Sequence, residues 1–170
     1  MKLIKQYLLE LHENNISISR EDPNKILDEF STLWADHINY VNSIQNFPYK
    51  KATKKLFMEK LNHAVERFPM FHTLFTARDN EKLVGYVQIG ITPDGGLGQI
   101  ISFHFLKDYR GEGLGGKLIK EALDWLWKHG VKEIELGTQG GNEAAVSFYK
   151  KHGFKIQGYN LRHEKSKYYR

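Results

Sequence analysis

The most constraining feature of this sequence is a glycine-rich run at residues 110–117, in which four glycines lie between Arg110 and Lys117. Apolar residues follow at helical spacing, and Gly130 stands where a left-handed residue commonly ends a helix. The run therefore predicts a loop that opens a helix, where the first backbone amides lack an intrahelical partner and the helix dipole is positive. Such a loop is typical of an anion site, and a phosphorylated cofactor is the expected ligand. A tight turn rich in glycine is the structural alternative.

Two familiar nucleotide-binding motifs fit this run only in part. Gly111, Gly113 and Gly116 match the glycine pattern of dinucleotide-binding folds, but too little chain follows for the β-α-β units that such a fold still requires. The spacing from Gly111 to Lys117 also approaches a phosphate-binding loop. Leu118, however, stands where that loop needs a serine or threonine hydroxyl to hold magnesium. Both interpretations are therefore disfavoured.

A second motif lies downstream. Residues 131–138 are predicted to form a strand, and residues 142–154 read Asn-x-x-Ala-x-x-Phe-Tyr-x-x-x-Gly-Phe, which predicts a short capped helix leading into one more strand. Together with Arg-x-x-Gly-x-Gly in the glycine-rich run, this motif resembles the GNAT acetyltransferase superfamily, and the resemblance covers residues 71–162. It implies an α/β (α+β) fold, with a mixed, mostly antiparallel sheet flanked by helices.

The resemblance also implies an activity, the transfer of an acetyl group from acetyl-CoA to a primary amine by direct attack in a ternary complex. A non-catalytic module that binds or senses acyl-CoA is the alternative. No metal is expected. Backbone of residues 103–105 would bond to the pantetheine arm, and amides of the glycine-rich run would hold the diphosphate. The residues expected to bind coenzyme A are Phe103, Phe105, Arg110, Gly111, Gly113, Leu114, Gly115, Gly116, Lys117, Asn142, Ala145 and Tyr149.

Tyr149 is the candidate for assisting the departure of the thiolate. A tyrosine has a reference pKa of about 10 and a thiol one of about 8.5, so a hydrogen bond is favoured over complete proton transfer. The structural alternative is a core tyrosine that packs beside Phe148.

The general base has three candidates. His104 is nearest the reacting thioester, although alternation along its strand favours a core position opposite Phe103 and Phe105. Glu135, on the next strand, is the second candidate, and a relay of water molecules is the third.

The composition bounds the remaining classes of function. The chain has 170 residues, a formal net charge of +5 and no cysteine. This length predicts a single domain over residues 1–170, and a chain without cysteine has neither a disulfide scaffold nor a catalytic thiol. No apolar stretch is long enough to span a membrane, and we expect a cytoplasmic protein with neither membrane nor nucleic-acid partners. A homodimer remains possible.

Residues 1–70 are predicted to be a largely helical, substrate-side region without a linker to the rest. One helix is expected after Asp22 and Pro23 up to Val41, and a second over residues 51–67. Residues 71–78, 83–91 and 99–106 predict a meander of three strands. Residues 1–20 are ambiguous between a helix containing Ile4, Leu8 and Leu11 and a short strand at 16–19. The apolar face of the second helix is expected to comprise Phe57, Leu61, Ala64, Val65 and Phe68.

The acceptor cannot be named from the sequence. Aromatic side chains of the N-terminal region could line a pocket, but aromatics at helical spacing more often form a core. Small amines, aminoglycosides, polyamines, amino acids and the amines of proteins all remain open. The aromatic candidates are Trp34, His37, Tyr40, Phe47, Tyr49 and Phe57.

Overall fold

The computed structural model describes residues 15–44 and 51–159. Within these residues, five strands form one sheet in the order β1-β2-β3-β4-β5, and each strand pairs antiparallel with the next except β4 and β5, which are parallel. The predicted mixed, mostly antiparallel sheet is confirmed. The strands are β1 (Ile16–Glu21), β2 (Phe71–Asp79), β3 (Lys82–Ile91), β4 (Leu97–Phe105) and β5 (Glu133–Leu136).

In the part of the chain that the structure describes, four α-helices cover the two faces of the sheet. They are α1 (Leu27–Ile44), α2 (Lys54–Arg67), α3 (Leu114–Lys128) and α4 (Glu143–Lys151). On one face, α3 buries a full apolar stripe against β2, β3 and β4. On the other face, α1 and α2 form a second core with Leu74 and Tyr86. Helix and strand periodicity place most of these side chains, because strand residues alternate between the two cores except where a β-bulge shifts the register.

The ends of the helices follow local chemistry. The Thr53 side chain accepts a hydrogen bond from the Leu56 amide at 3.1 Å and caps α2, while Asn142 does the same for α4 through the Ala145 amide at 3.2 Å. Gly130 has a φ of +79° just beyond α3, as its sequence position predicts.

Strands β4 and β5 stay together only over half of β4. Their pairing runs from Leu97 with Glu133 to Ile100 with Leu136, and β5 ends there while β4 continues to Phe105. A β-bulge in β4 comes directly afterwards, since Ile100 pairs with Ile89 and Ser102 with Gln88. Such a bulge bends a strand and re-aims its side chains. The strands therefore separate beyond Ile100, and a gap opens in the sheet.

Several boundaries differ from the sequence-based prediction. Asp22 caps a 3-10 turn at Pro23–Lys25, and α1 begins only at Leu27. Val65 is 43% exposed although it was expected in the core, because it lies about 100° around α2 from buried Ala64. Residues 154–159, the described part of the segment after α4, have no regular secondary structure where the sequence predicts one more strand. Of the ambiguous first 20 residues, the strand at 16–19 is confirmed within β1, whereas Ile4, Leu8 and Leu11 lie outside the described residues.

Within the described segments, the helices include none that is both long and apolar enough to cross a membrane.

Candidate active site

A cavity of about 850 Å³ passes through the gap between β4 and β5 and reaches both faces of the sheet. We call its two parts the glycine-loop arm and the α1–α2 arm. The glycine-loop arm is lined by the four glycines of residues 111–116, by the loop at 137–139 and by α4. The α1–α2 arm is lined by α1, α2 and the facing side of the sheet. The arms meet where β4 diverges from β5, next to Phe103 and His104.

The backbone of the glycine-loop arm is shaped for close approach. Gly111 and Gly113 have φ angles of +85° and +80°, and a Cβ added to either would meet no atom within 4 Å. The Gly113 carbonyl accepts the first bonds of α3, from the amides of Gly116 at 2.9 Å and Lys117 at 3.2 Å. The amides of Leu114 and Gly115 precede these bonds and have no place in the helix ladder. The space in front of the loop and the donors behind it fit a phosphate group.

Gly115 and Gly116 have a different role. A Cβ at Gly115 would lie 3.3 Å from the Phe103 ring and 3.4 Å from the Phe148 ring, so this glycine admits the two aromatics. Their rings stack at 5.2 Å between centroids, with 14° between the planes. The stack joins β4 to α4 across the gap. At Gly116, an added Cβ would come within 3.5 Å of His152.

Tyr149 packs at the junction of the arms. Its ring contacts Phe103 at 6.3 Å, Phe148 at 5.3 Å and Phe154 at 5.7 Å between centroids. Burial raises the pKa of the Tyr149 hydroxyl well above its ordinary value. The hydroxyl therefore keeps its proton at neutral pH and can donate a hydrogen bond into the cavity that the residue lines.

Arg110 does not point to the loop amides. Its Nε donates to the Phe105 carbonyl at 2.7 Å, and its guanidinium lies 4.3 Å from the centroid of the Tyr40 ring. The arginine thus links the end of β4 to α1 by a hydrogen bond and a cation-π contact. It contributes a positive charge at the junction of the arms rather than a ligand aimed at the loop.

His104 lies on the α1–α2 side of the sheet, with 4% of its surface exposed. Its Nε2 donates to Oδ2 of Asp36 at 2.7 Å, since a carboxylate oxygen can only accept. The Nδ1 atom then keeps its lone pair. Burial, together with the charge of Arg110, lowers the pKa of His104 against the opposing effect of Asp36, so the imidazole is neutral at neutral pH. A neutral histidine held by a carboxylate is a competent proton acceptor.

His37 stacks on His104 with 4.9 Å between ring centroids and 21° between planes. Burial lowers its pKa to about 3, and the neighbouring His104 and Arg110 add to that effect. A hydrogen bond of 2.9 Å joins His37 Nδ1 to the hydroxyl of Tyr86, which is fully buried. The ring of His37 is thereby fixed against β3, and it holds His104 in place by stacking.

The structure brings together most of the residues that the sequence singles out. Of the expected coenzyme A residues, only Leu114 and Lys117 do not line the cavity, and the Leu114 side chain is buried in the core. Glu135 does not line it either, because its exposed carboxylate accepts from Gln99 at 2.9 Å. His104 occupies the buried position that alternation favours and still lines the cavity. The cavity-lining residues predicted for coenzyme A are Phe103, Phe105, Arg110, Gly111, Gly113, Gly115, Gly116, Asn142, Ala145 and Tyr149.

Other site residues were missed or left undecided by sequence reasoning. Asp36 is an ordinary exposed-face residue by periodicity, and only its contact with His104 gives it a role. Tyr86 was not singled out either, since it stands in an apolar strand. Trp34 and Phe57 proved to be core and cavity wall together. His37 and Tyr40 also line the cavity, whereas Phe47 and Tyr49 lie outside the described residues.

A sequence model of the Acetyltransferase (GNAT) family matches residues 38–154. The chain belongs to this family, and it is an acetyltransferase. The sequence is 36% identical over 110 residues to N-alpha-acetyltransferase 30 of Schizosaccharomyces pombe, a match that covers 63% of this chain and 67% of that protein. Seven further curated relatives are covered over 20 to 54% of their lengths.

Solved structures share the fold at low sequence identity. The PaiA N-acetyltransferase of Thermoplasma acidophilum, solved in complex with coenzyme A, superposes with a TM-score of 0.69 at 18% identity and covers 85% of this chain and 92% of its own. An aminoglycoside acetyltransferase from an uncultured soil metagenomic sample, in complex with sisomicin, gives a TM-score of 0.64 at 16% identity, with 89% and 97% of the two chains covered.

Proposed function

We propose that the protein transfers the acetyl group of acetyl-CoA to a primary amine by direct attack, with His104 as general base and Tyr149 as hydrogen-bond donor to the leaving sulfur. The observation that carries the proposal is the single cavity through the sheet. It places the open glycine loop on one side of the gap and the His104–Asp36 pair on the other. A cofactor entering from the loop and an amine entering from α1 and α2 would meet at the gap.

The glycine-loop arm fits coenzyme A on three counts. The amides of Leu114 and Gly115 suit its diphosphate, and the space in front of Gly111 and Gly113 admits it. The edge of β4 beyond Ile100, which none of the described strands pairs on the β5 side, suits the amides of the pantetheine arm. Asn142 caps α4 with its side chain, so its contribution to cofactor binding would come through the helix that it orients.

The proposed reaction exchanges one bond at the acetyl carbon for another. The amine nitrogen forms a bond to the acetyl carbon, the carbon–sulfur bond breaks, and its electron pair leaves on sulfur. Nδ1 of His104 accepts the proton that the nitrogen loses. The raised pKa of Tyr149 makes complete transfer of its proton to the thiolate unfavourable, and its hydroxyl instead stabilises the sulfur by a hydrogen bond.

Calorimetry with coenzyme A and a thiol-release assay with acetyl-CoA and a panel of amines test this proposal. We expect micromolar binding of coenzyme A, about −8 kcal/mol, and release of thiol that depends on the amine. No binding at millimolar coenzyme A would refute the proposal. Binding without thiol release for any amine would instead favour the non-catalytic acyl-CoA module.

A further inference from the structure

The α1–α2 arm carries an uneven set of charges. Lys60, His63 and Arg67 lie three and four residues apart on α2, share one side of that helix and line the cavity. Beneath them the wall is apolar, formed by buried Phe57, Leu61 and Phe68. The guanidinium of Arg67 lies 5.3 Å from the centroid of the Phe68 ring, which keeps this charge at the mouth of the cavity.

The described part of the cavity wall has cations but no lining carboxylate. Among the described residues, no aspartate or glutamate lines the cavity, whereas four lysine or arginine side chains do. Carboxylates do contact three lining side chains, but each accepts a hydrogen bond from that side chain and does not itself line the cavity. These pairs are Asp36 with His104, Glu135 with Gln99, and Asp79 with Tyr109.

The cations of α2 are not explained by the cofactor. The glycine loop and α3 belong to one face of the sheet, while α2 packs on the other through a separate core. Of the other two lining cations, Arg110 lies at the junction of the arms and Lys151 lies on α4 in the glycine-loop arm. No carboxylate of residues 15–44 or 51–159 forms a salt bridge with Lys60 or Arg67.

We propose that the acceptor is a monoamine with an apolar or aromatic group near its amino group and an anionic group further out, which Lys60 and Arg67 bind at the cavity mouth. This rests on the acetyltransferase function proposed above. A positively charged cavity disfavours a second ammonium group on the acceptor, and it also favours the neutral form of the single amine that must attack. Polyamines and aminoglycosides carry several ammonium groups, so the same wall selects against them.

Two matched pairs of acceptors test the proposal in the thiol-release assay. Phenylalanyl-glycyl-glycine and its C-terminal amide differ by one carboxylate, and tyramine phosphate and tyramine differ by one phosphate. Spermidine serves as the polycation. We expect at least one anionic member to exceed its uncharged partner in kcat/KM by tenfold or more, and the pair that shows it identifies carboxylate or phosphate as the anion. Spermidine should be the poorest acceptor.

The double variant Lys60→Gln, Arg67→Gln should remove this preference and lower kcat/KM for the anionic acceptor about tenfold, the equivalent of about 1.4 kcal/mol. The matched control is Lys51→Gln, Lys55→Gln, which removes two exposed charges from the same region away from the cavity and should preserve the preference. Equal use of both members of each pair, a preference for spermidine, or a preference that survives the double variant would overturn the inference. If spermidine were the only amine acetylated, this inference would fail but the acetyltransferase function would stand. If none of the amines caused release of thiol, the acetyltransferase function itself would be rejected.

Discussion

The two arms of the cavity differ in whether backbone atoms or side chains form their walls. The glycine-loop arm is mainly backbone, and its features arise within a few residues of each other, as in the bonds from Gly116 and Lys117 to Gly113. The α1–α2 arm is made of side chains from distant segments. His104 meets Asp36 across 68 residues of chain, and His37 meets Tyr86 across 49. One arm is therefore specified by a local pattern and the other by the packing of the whole fold.

The difference in material has a chemical consequence. Backbone amides do not titrate, so the glycine-loop arm should hold its ligand over a wide pH range. The α1–α2 arm contains buried His104 and partly buried His37, whose pKa values are lowered by desolvation. Chemistry and stability on this side should consequently respond to acid, while cofactor binding should not.

The largest expected effect comes from a substitution in the glycine-loop arm. Gly113→Val places a β-branched side chain where the diphosphate must approach, and forces it into a backbone conformation that such residues rarely adopt. Calorimetry should show at least a 1,000-fold loss of coenzyme A affinity, about 4 kcal/mol. Gly95→Val is the matched control, because Gly95 has a φ of +73° and equally open surroundings in a turn outside the cavity. Both variants should lose similar stability, and equal affinity in the two would show that Gly113 only makes a turn.

The second-largest effect is expected from removing the proposed general base in the α1–α2 arm. His104→Gln should lower kcat by about 10² to 10³-fold and leave coenzyme A affinity unchanged, since only proton transfer is lost. His72→Gln is the control, as His72 is a partly buried histidine on the same face that does not line the cavity. An equal loss of turnover in both variants would contradict the assignment.

The pH profile gives an independent check on the same residue. The pKa of His104 is lowered, so its base form should persist below pH 6.5 and the acid limb of kcat/KM should lie below that pH. Asp36→Asn removes a carboxylate that raises this pKa, and the limb should move to still lower pH as kcat falls. A limb that stays in place would assign the base to another group.

A smaller effect is expected at the junction of the arms. Tyr149→Phe keeps the ring contacts with Phe103, Phe148 and Phe154 and removes only the hydroxyl. Turnover should fall by about 10 to 100-fold, because a thiolate is already a tolerable leaving group. Coenzyme A affinity and melting temperature should change little. Unchanged single-turnover rates would leave Tyr149 as a packing residue with no role in the departure of the thiolate.

The glycine-loop arm could be predicted from the sequence far better than the α1–α2 arm. The loop, the start of α3 and the capped α4 follow from glycine conformation, capping and helical spacing, all of which act over a few residues. Asp36 could not be assigned, because its partner lies on a strand whose position depends on the sheet register. The prediction that Val65 lies in the core was wrong. Helical periodicity alone does not define how wide the buried face of a helix is, and Val65 lies just outside it. The strand predicted after α4 is not seen in residues 154–159, because a strand also needs a partner edge and Ile156 and Tyr159 are exposed there.

The smallest effect concerns stability rather than activity. The pKa of His37 is about 3 in the folded protein, against about 6.5 when unfolded, so the unfolded state binds the additional proton between these values. Stability should therefore be complete above pH 6.5 and be lost as the pH falls towards 3. Between pH 7 and pH 5 this one group should cost up to about 2 kcal/mol of unfolding free energy.

His37→Asn retains a hydrogen-bonding partner for Tyr86 but cannot titrate, so its urea-unfolding free energy should fall less over this interval than that of the wild type. His63→Gln removes an exposed histidine and should show the wild-type loss. If His37→Asn and the wild type lose the same free energy of unfolding, the acid response does not come from His37. The contrast between a pH-insensitive glycine-loop arm and a titrating α1–α2 arm would then rest on His104 alone.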